Sequence, residues 1–225
     1  MSRLYHGPVV IPNLRPMYLP GHFTQTDIAA LHGLMRDHPL AHVVVAGPEG
    51  LDANYLPLLP DPGAGPYGLL RGHVARTNPL WQLAESGCDC LAIFQGPHHY
   101  ISPGWYPGKT EHGRVVPTWN YVVVHAHGQL RAMDDEAWLR RLLADLTAVH
   151  EAARPTPWAM EDAPADYLDR MVRAVVGIEI QITRLEGKWK LSQNRTPDDR
   201  AGVVRGLKAE GGAEGATLAQ WMRDI

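Results

Sequence analysis

The sequence predicts a mainly β fold with flanking helices, in which the strands form an antiparallel barrel. Several short segments rich in β-branched and aromatic residues are separated by glycine and proline turn signals. These segments do not alternate with helices in the β–α–β order that is typical of a parallel sheet. The chain of 225 residues suits one large domain with a helical extension.

Apolar runs and period-two alternation define the predicted strands. They are residues 41–46, 54–59, 67–74, 89–95, 119–133 and 178–190. Residues 119–133 form the longest and most β-branched of these segments. Ile178, Ile180 and Ile182 alternate with polar residues, as in a half-buried strand. Pro57 indicates either a sheet edge or a place where a ligand uses the backbone.

Start signals and apolar faces define the predicted helices. Residues 24–37 begin with a Thr-x-x-Asp signal before an apolar stripe. Residues 134–153 carry a continuous leucine-rich face. Asn78 and Thr196 are capping residues, each followed by a proline that suits the first helical position. A glycine pair at 211–212 precedes a short tail helix.

Composition and charge exclude several classes of protein. The net charge is −3 and no long basic stripe is present, so a dedicated DNA-binding domain is not expected. Cys88 and Cys90 are predicted to be reduced thiols of a cytoplasmic protein, because a disulfide between them would be strained. The sequence shows no signal peptide, membrane span, serine-hydrolase motif or P-loop.

Residues 72–79 place a strand end directly before a helix start. Free backbone N–H groups at such a junction favour an anion. Arg76 and Thr77 stand where a charge and a hydroxyl group could bind a phosphate. The alternative is a capped turn with an exposed arginine.

Residues 94–106 are dense in aromatic, amide and imidazole side chains. This mixture suits a flat heteroaromatic ligand, which needs stacking surfaces and a few polar contacts. The alternative is a tight turn whose aromatic rings pack together. Residues 103–117 then form either a lid or a long loop.

Two polar patterns on strands complete the candidate sites. His125 and His127 share a strand face, but no third metal ligand has a clear spacing, so paired structural histidines are favoured over a metal site. Lys190, Ser192 and Asn194 would also share a face if their strand continued. They would then hold a phosphate or stabilise negative charge on a reduced flavin, the alternative being a polar strand end.

Taken together, the motifs resemble those of one family. In order they are MYLPGHF (17–23), GHVARTNP (72–79), FQGPHHYISPGWY (94–106), VPTWNY (116–121) and KLSQNR (190–195). In this combination the chain resembles the PaiB-type family of FMN-binding negative transcriptional regulators. The resemblance covers residues 17–207 and implies a split β-barrel related to pyridoxamine-phosphate oxidase and flavin reductases. It also implies a homodimer that holds FMN between its subunits.

The resemblance further implies three groups of cofactor-binding residues. At the phosphate are Arg76 and Thr77, with His73 and Asn78 nearby. In the pocket are Gln95, Trp119 and Asn120. At the strand end are Lys190, Ser192 and Gln193. The chain departs from the family pattern at Asn54 and Tyr55, where a Thr-His pair is expected. The departure removes a histidine from the wall beside the flavin ring.

The predicted domains are an arm (1–16), an FMN-binding split-barrel domain (17–195) and a helical tail (196–225). Three functions remain open for this chain. The first is a flavin-binding regulator, for which direct DNA binding is doubtful because no helix-turn-helix is recognisable. The second is a flavin-dependent oxidoreductase with a reduced nicotinamide donor, in which the flavin does the redox chemistry and no catalytic side chain is assigned. The third is a haem-binding split barrel, with His73, His98 or His99 as axial ligand.

Overall fold

The computed structural model describes residues 15–223, so the predicted N-terminal arm lies almost entirely outside the described residues. The strands are β1 (Thr24–Gln25), β2 (Leu40–Gly47), β3 (Gly50–Pro57), β4 (Leu59–Asp61), β5 (Leu69–Ala75), β6 (Cys88–Ile101), β7 (Thr118–Met133) and β8 (Val175–Lys190). The α-helices are α1 (Ile28–Asp37), α2 (Leu80–Ala84), α3 (Gly108–Glu111), α4 (Glu136–Glu151), α5 (Ala165–Arg173), α6 (Pro197–Glu210) and α7 (Ala213–Trp221). Within this part of the chain, no helix is both long and apolar enough to cross a membrane.

All eight strands join one sheet. Its order is β3-β2-β6-β7-β8-β5-β4, and β1 pairs with β8 beside that path. The pairs β2–β3, β2–β6, β4–β5 and β5–β8 are all antiparallel. The predicted antiparallel, mainly β fold is therefore confirmed. Pro57 ends β3, which is an edge strand as the proline predicts.

The described chain separates into two compact units. Unit 1 comprises Met35–Ile93 and Ala126–Leu185. Unit 2 comprises Arg15–Leu34, Phe94–His125 and residues 186–223. Strands β6, β7 and β8 each contribute residues to both units.

In unit 1, α4 covers one face of β5. Leu70 of β5 pairs with Ile180 of β8, and both side chains are fully buried on the other face of the strand. Arg71 alternates with Leu70, and its Nη1 lies 3.1 Å from the carboxylate of Asp145 on α4. Because side chains alternate along a strand, His73 shares its face with Arg71.

In unit 2, α6 packs against the segment that the sequence assigns to a lid or a loop. A Cβ atom at Gly206 would lie 2.2 Å from the ring of Trp105, so only glycine permits this close approach. The buried carboxylate of Asp199 accepts a hydrogen bond from the backbone N–H of Gly108 at 3.2 Å. Residues 103–117 are thus held to α6 and include a 3₁₀ turn and α3.

Helix α1 begins later than the sequence predicts. The predicted helix over residues 24–37 has its first ordered turn at Ile28, whereas Thr24–Gln25 forms β1. Asp27 is the capping residue, since its carboxylate accepts the backbone N–H of Ala29 at 2.9 Å. The prediction of Thr24 as the start is therefore wrong.

The two strand ends near the candidate ligand residues also differ from prediction. β6 continues to Ile101, so residues 96–101 are strand and not a turn. β8 stops at Lys190, and Ser192 has a φ of 66°. The chain turns there, and Lys190, Ser192 and Asn194 do not follow one another along a strand face. Helix α5 was not predicted at all.

Candidate functional site

The structure divides the ten predicted ligand residues between the two units. In unit 1 are His73, Arg76, Thr77 and Asn78, and in unit 2 are Gln95, Trp119, Asn120, Lys190, Ser192 and Gln193. Four of the unit 2 residues, namely those at 119, 120, 190 and 192, make side-chain or backbone contacts within one cluster. Gln95 is exposed on β6.

Trp119 presents an exposed aromatic surface in unit 2. Its side chain is 52% exposed at the start of β7. The ring of His98 lies nearly parallel to it, with centroids 6.0 Å apart and an interplanar angle of 29°. The ring of Tyr100 meets it edge-on at 6.1 Å. Because β6 extends to Ile101, His98 and Tyr100 lie two residues apart on one strand and share a face. The aromatic surface that they form with Trp119 suits a flat ring.

Lys190 lies directly beside this aromatic surface. Its ammonium group donates hydrogen bonds to the hydroxyl of Thr118 and to the backbone carbonyl of Trp119. The same ammonium lies 5.8 Å from the ring centroid of Tyr121. These contacts fix the charge of Lys190 at the backbone of Trp119, at the start of β7.

A second lysine, Lys188, is buried in the same cluster. Its ammonium donates to the backbone carbonyl of Tyr18 at 2.8 Å and lies between the rings of Tyr18 and Tyr121, at 5.3 and 5.5 Å. Aromatic faces stabilise a cation without neutralising it. Lys188 was not singled out by sequence, although its two-residue spacing from Lys190 on a strand is a signal that was available.

Lys188, Lys190 and Arg195 form a group that we call the lysine cluster. This cluster carries an excess of positive charge. Burial lowers the pKa of Lys190, and repulsion from Lys188 and Arg195 lowers it further. Arg195 itself lies over the ring of Tyr106, 5.0 Å from its centroid. Within residues 15–223, none of these three cations forms an ion pair with a carboxylate. The field therefore favours an anionic ligand.

Asn120, Ser192 and Gln193 hold the strand ends in place. The amide nitrogen of Asn120 donates to the hydroxyl of Ser192 at 2.9 Å, and both side chains are buried. Gln193 uses its amide oxygen to accept the backbone N–H of Leu191 and its amide nitrogen to donate to the carbonyl of Trp189. These side chains position Lys190 and Trp119 through hydrogen bonds that are already made.

Arg76 of unit 1 already has partners for its guanidinium group. Two of its nitrogens donate to the carboxylate of Asp134, at 2.6 and 2.9 Å. The third nitrogen, Nε, donates to the carbonyl oxygen of Arg173, and Nη2 donates to that of Val175 as well as to Asp134. The hydrogen bond and charge of Arg76 hold the pKa of Asp134 below its usual range. A phosphate at Arg76 would therefore compete with Asp134.

The backbone donors expected at this junction are also engaged. The N–H groups of Arg76 and Asn78 each donate at 2.8 Å, to the carbonyls of Ala174 and Ala75. The side chain of Asn78 accepts the N–H of Leu80 at 2.9 Å, as a capping residue should. Helix α2 has only five residues, so its dipole adds little. The side chain of Thr77 remains exposed.

Each of the two strand histidines has a charged neighbour. In unit 2, a ring nitrogen of His125 lies within 4.8 Å of a carboxylate oxygen of Glu186. In unit 1, an Nη of Arg184 lies 3.1 Å from Nε2 of His127. Contacts between neighbouring strands supply these partners, so spacing along the sequence does not reveal them.

Comparisons with solved structures agree with this architecture. The FAD and haem binding protein from Mycobacterium smegmatis matches with a TM-score of 0.55 and 14% identity, over 84% of this chain and 80% of the other. The flavocytochrome Anf3 from Azotobacter vinelandii matches with a TM-score of 0.53 and 15% identity, over 80% and 75%. The chain is thus of the class of antiparallel split β-barrel proteins with flanking helices.

The sequence relatives identify the family. Residues 17–184 match a family described as "Putative FMN-binding domain", and the chain belongs to this family. Protease synthase and sporulation protein PAI 2 of Bacillus subtilis is 30% identical over 92% of this chain and 97% of its own length. An uncharacterised protein of Aspergillus fumigatus is 32% identical over the same shares. These matches confirm the predicted PaiB-type resemblance and FMN as the cofactor.

Proposed function

We propose that this protein is a homodimeric, FMN-binding regulator of the PaiB type, in which the lysine cluster of unit 2 faces the anionic part of the flavin. The observation that carries the proposal is the uncompensated charge of Lys188, Lys190 and Arg195 beside the exposed ring of Trp119. FMN combines a flat tricyclic ring with a phosphate, so it needs a stacking surface and a cation. When bound, the flavin supplies the redox chemistry.

The side chains have distinct roles in this proposal. Trp119 stacks its exposed face against the flavin ring, and the rings of His98 and Tyr100 pack against the indole of Trp119. Lys190 places a positive charge at the edge of that face. The buried pair Asn120 and Ser192 keeps the two strand ends together and does not contact the ligand.

The regulatory part of the proposal rests on the relative in Bacillus subtilis, whose name associates it with protease synthesis and sporulation. Its match runs along nearly the whole of both chains. A net charge of −3 does not favour direct binding to DNA. We therefore propose that regulation acts through the flavin or through a protein partner.

An absorbance titration of the purified protein with FMN tests the cofactor site. Wild-type protein should shift the flavin spectrum and bind FMN more tightly than riboflavin, which lacks the phosphate. Lys190→Met should weaken FMN binding by about tenfold, because a charge-assisted contact is lost. Lys208→Met, an exposed lysine on α6, is the matched control and should bind normally.

Four outcomes would overturn parts of this proposal. Equal FMN affinity in Lys190→Met and wild type would remove Lys190 from the site. A Soret band with no flavin spectrum, in protein from haem-replete cells, would replace FMN by haem. Rapid bleaching of the bound flavin by NADH or NADPH would favour an oxidoreductase over a regulator. A salt-sensitive gel shift with the protein's own upstream DNA would restore direct DNA binding.

A further inference from the structure

Unit 1 contains a cavity of about 350 Å³ between the sheet and the helical segment that covers it. Its walls are lined by residues from the end of β3, from β5, from α4 and from the segment that follows α4. The lining residues that matter here are Pro57, His73, Leu143, Leu146, Glu151 and Trp158. The volume lies within the range of small-molecule sites in proteins.

Most of the cavity wall is apolar. Leu143 and Leu146 project from α4, and Pro57 lines the wall from β3. Trp158 is 44% exposed, although its indole lines a cavity. The backbone N–H of Trp158 donates to the carboxylate of Glu151 at 3.1 Å, which ties this segment to the last turn of α4. Apolar walls with an aromatic ring at one side suit a small planar ligand.

The polar side chains in the wall are those of His73, Thr147, His150 and Glu151, and each of them can accept a hydrogen bond. Burial lowers the pKa of His73, so its imidazole is neutral at neutral pH. Nδ1 of His73 is buried and has no hydrogen-bond partner among the described residues. A neutral imidazole has one donor and one acceptor nitrogen, so the ring of His73 can accept one hydrogen bond from a molecule in the cavity. The carboxylate of Glu151 is a second acceptor and disfavours an anionic ligand.

We propose that this cavity is a binding site for a small neutral aromatic molecule that carries one N–H or O–H donor, such as an indole or a phenol. The ligand ring packs between the α4 leucines and Trp158, and its donor bonds to the neutral imidazole of His73. The site lies entirely within unit 1 and shares no residue with the lysine cluster. The proposal gives His73 a role other than the contact near the flavin phosphate that the family resemblance implies.

The test compares indole with indene, which has the same shape but no N–H donor. Binding is followed by ligand-observed NMR and by isothermal titration on the full-length FMN-loaded protein. Wild type should bind indole more tightly than indene by about tenfold, the value of one hydrogen bond. His73→Phe keeps the ring but should abolish that preference.

A cavity-filling variant checks the location. Leu143→Trp should reduce indole binding at least tenfold, whereas Ala144→Trp, on the exposed face of the same helix, should leave it unchanged. Circular dichroism and the FMN titration confirm that each variant is folded. Equal indole binding in wild type and Leu143→Trp, or no binding at millimolar indole, would refute the site. Equal affinity for indole and indene in wild type would refute the role of His73.

Discussion

Arg76 and Lys190, the two cations that the sequence singles out, have opposite surroundings. The charge of Arg76 is offset by Asp134, and its remaining donors are taken by backbone carbonyls. Lys190 faces other cations, and burial together with that repulsion lowers its pKa. A sequence shows that each residue is basic, but only the packing shows whether its charge is already paired.

Replacing Arg76 by glutamine should reduce the free energy of unfolding by about 1 kcal/mol, a modest loss because both side chains of the Arg76–Asp134 pair are more than one-third exposed to water. Arg76 lowers the pKa of Asp134, so the pair stabilises the protein above the ordinary carboxyl pKa. That contribution is lost as the pH falls through the lowered value. Urea denaturation at about pH 7 and about pH 3 should therefore show a larger difference between variant and wild type at the higher pH.

The same Arg76 variant tests the phosphate role that the family resemblance implies. A weaker affinity for FMN, with riboflavin binding unchanged, would assign Arg76 to the phosphate. An unchanged affinity for both flavins would leave Arg76 as a structural residue of the strand-to-helix junction. A loss of stability that is identical at both pH values would contradict the ion-pair explanation.

Lys190 should make FMN binding depend on pH. An anion is held while the ammonium is charged, and the pKa of Lys190 is below the ordinary lysine value of 10.5. FMN affinity should thus fall as the pH rises through that lowered value. Lys190→Arg stays charged over this range and should flatten the profile. Parallel profiles for wild type and Lys190→Arg would show that a group other than Lys190 controls the dependence.

At the scale of elements, strand β6 shows why local signals mislead. Gly96 and Pro97 are typical of a turn, yet the strand runs through them to Ile101. A Cβ atom at Gly96 would lie 2.7 Å from the side chain of Leu34, so glycine is required there by a close approach and not by a turn. The sequence alone contains no information about which helix will pack on that position.

Elements whose signals agreed with their packing were predicted well. The strand predicted at 119–133 is β7 (Thr118–Met133), and the cap at Thr196 is confirmed by its hydrogen bond from the backbone N–H of Asp199. The sequence predicts the arrangement of the candidate site in unit 2 only in part. Trp119 and Lys190 come together because β7 and β8 lie side by side, but the pairing of Trp119 with His98 depends on the unexpected length of β6.

The contact between α6 and Trp105 leaves no room for a side chain at Gly206. Gly206→Leu would force a side chain into the indole ring and should destabilise the protein by about 2–3 kcal/mol through overpacking. Arg205→Leu, an exposed neighbour on the same helix, controls for the change in helix composition. Thermal and urea denaturation measure both variants, and equal stabilities would contradict the close approach.

At the scale of the whole molecule, the proposed homodimer requires a surface that binds a second copy of the chain. The edge strand β3 carries large apolar side chains that are mostly exposed to solvent. Leu51 is 74% exposed and Tyr55 is 66% exposed, and they lie four residues apart on the same strand face. An exposed apolar patch of this kind is typical of a subunit interface.

We expect the wild-type protein to sediment as a dimer, at twice the chain mass of 24.9 kDa. The double variant Leu51→Asp, Tyr55→Asp should dissociate it, because two unpaired carboxylates would have to be buried at the interface. Val149→Asp, on the exposed part of α4, is the matched control and should remain dimeric. If FMN lies between the subunits, the monomeric double variant should also lose at least about tenfold in FMN affinity. A folded monomer that binds FMN as tightly as wild type would place the flavin within a single chain, and a double variant that stays dimeric would move the interface away from β3.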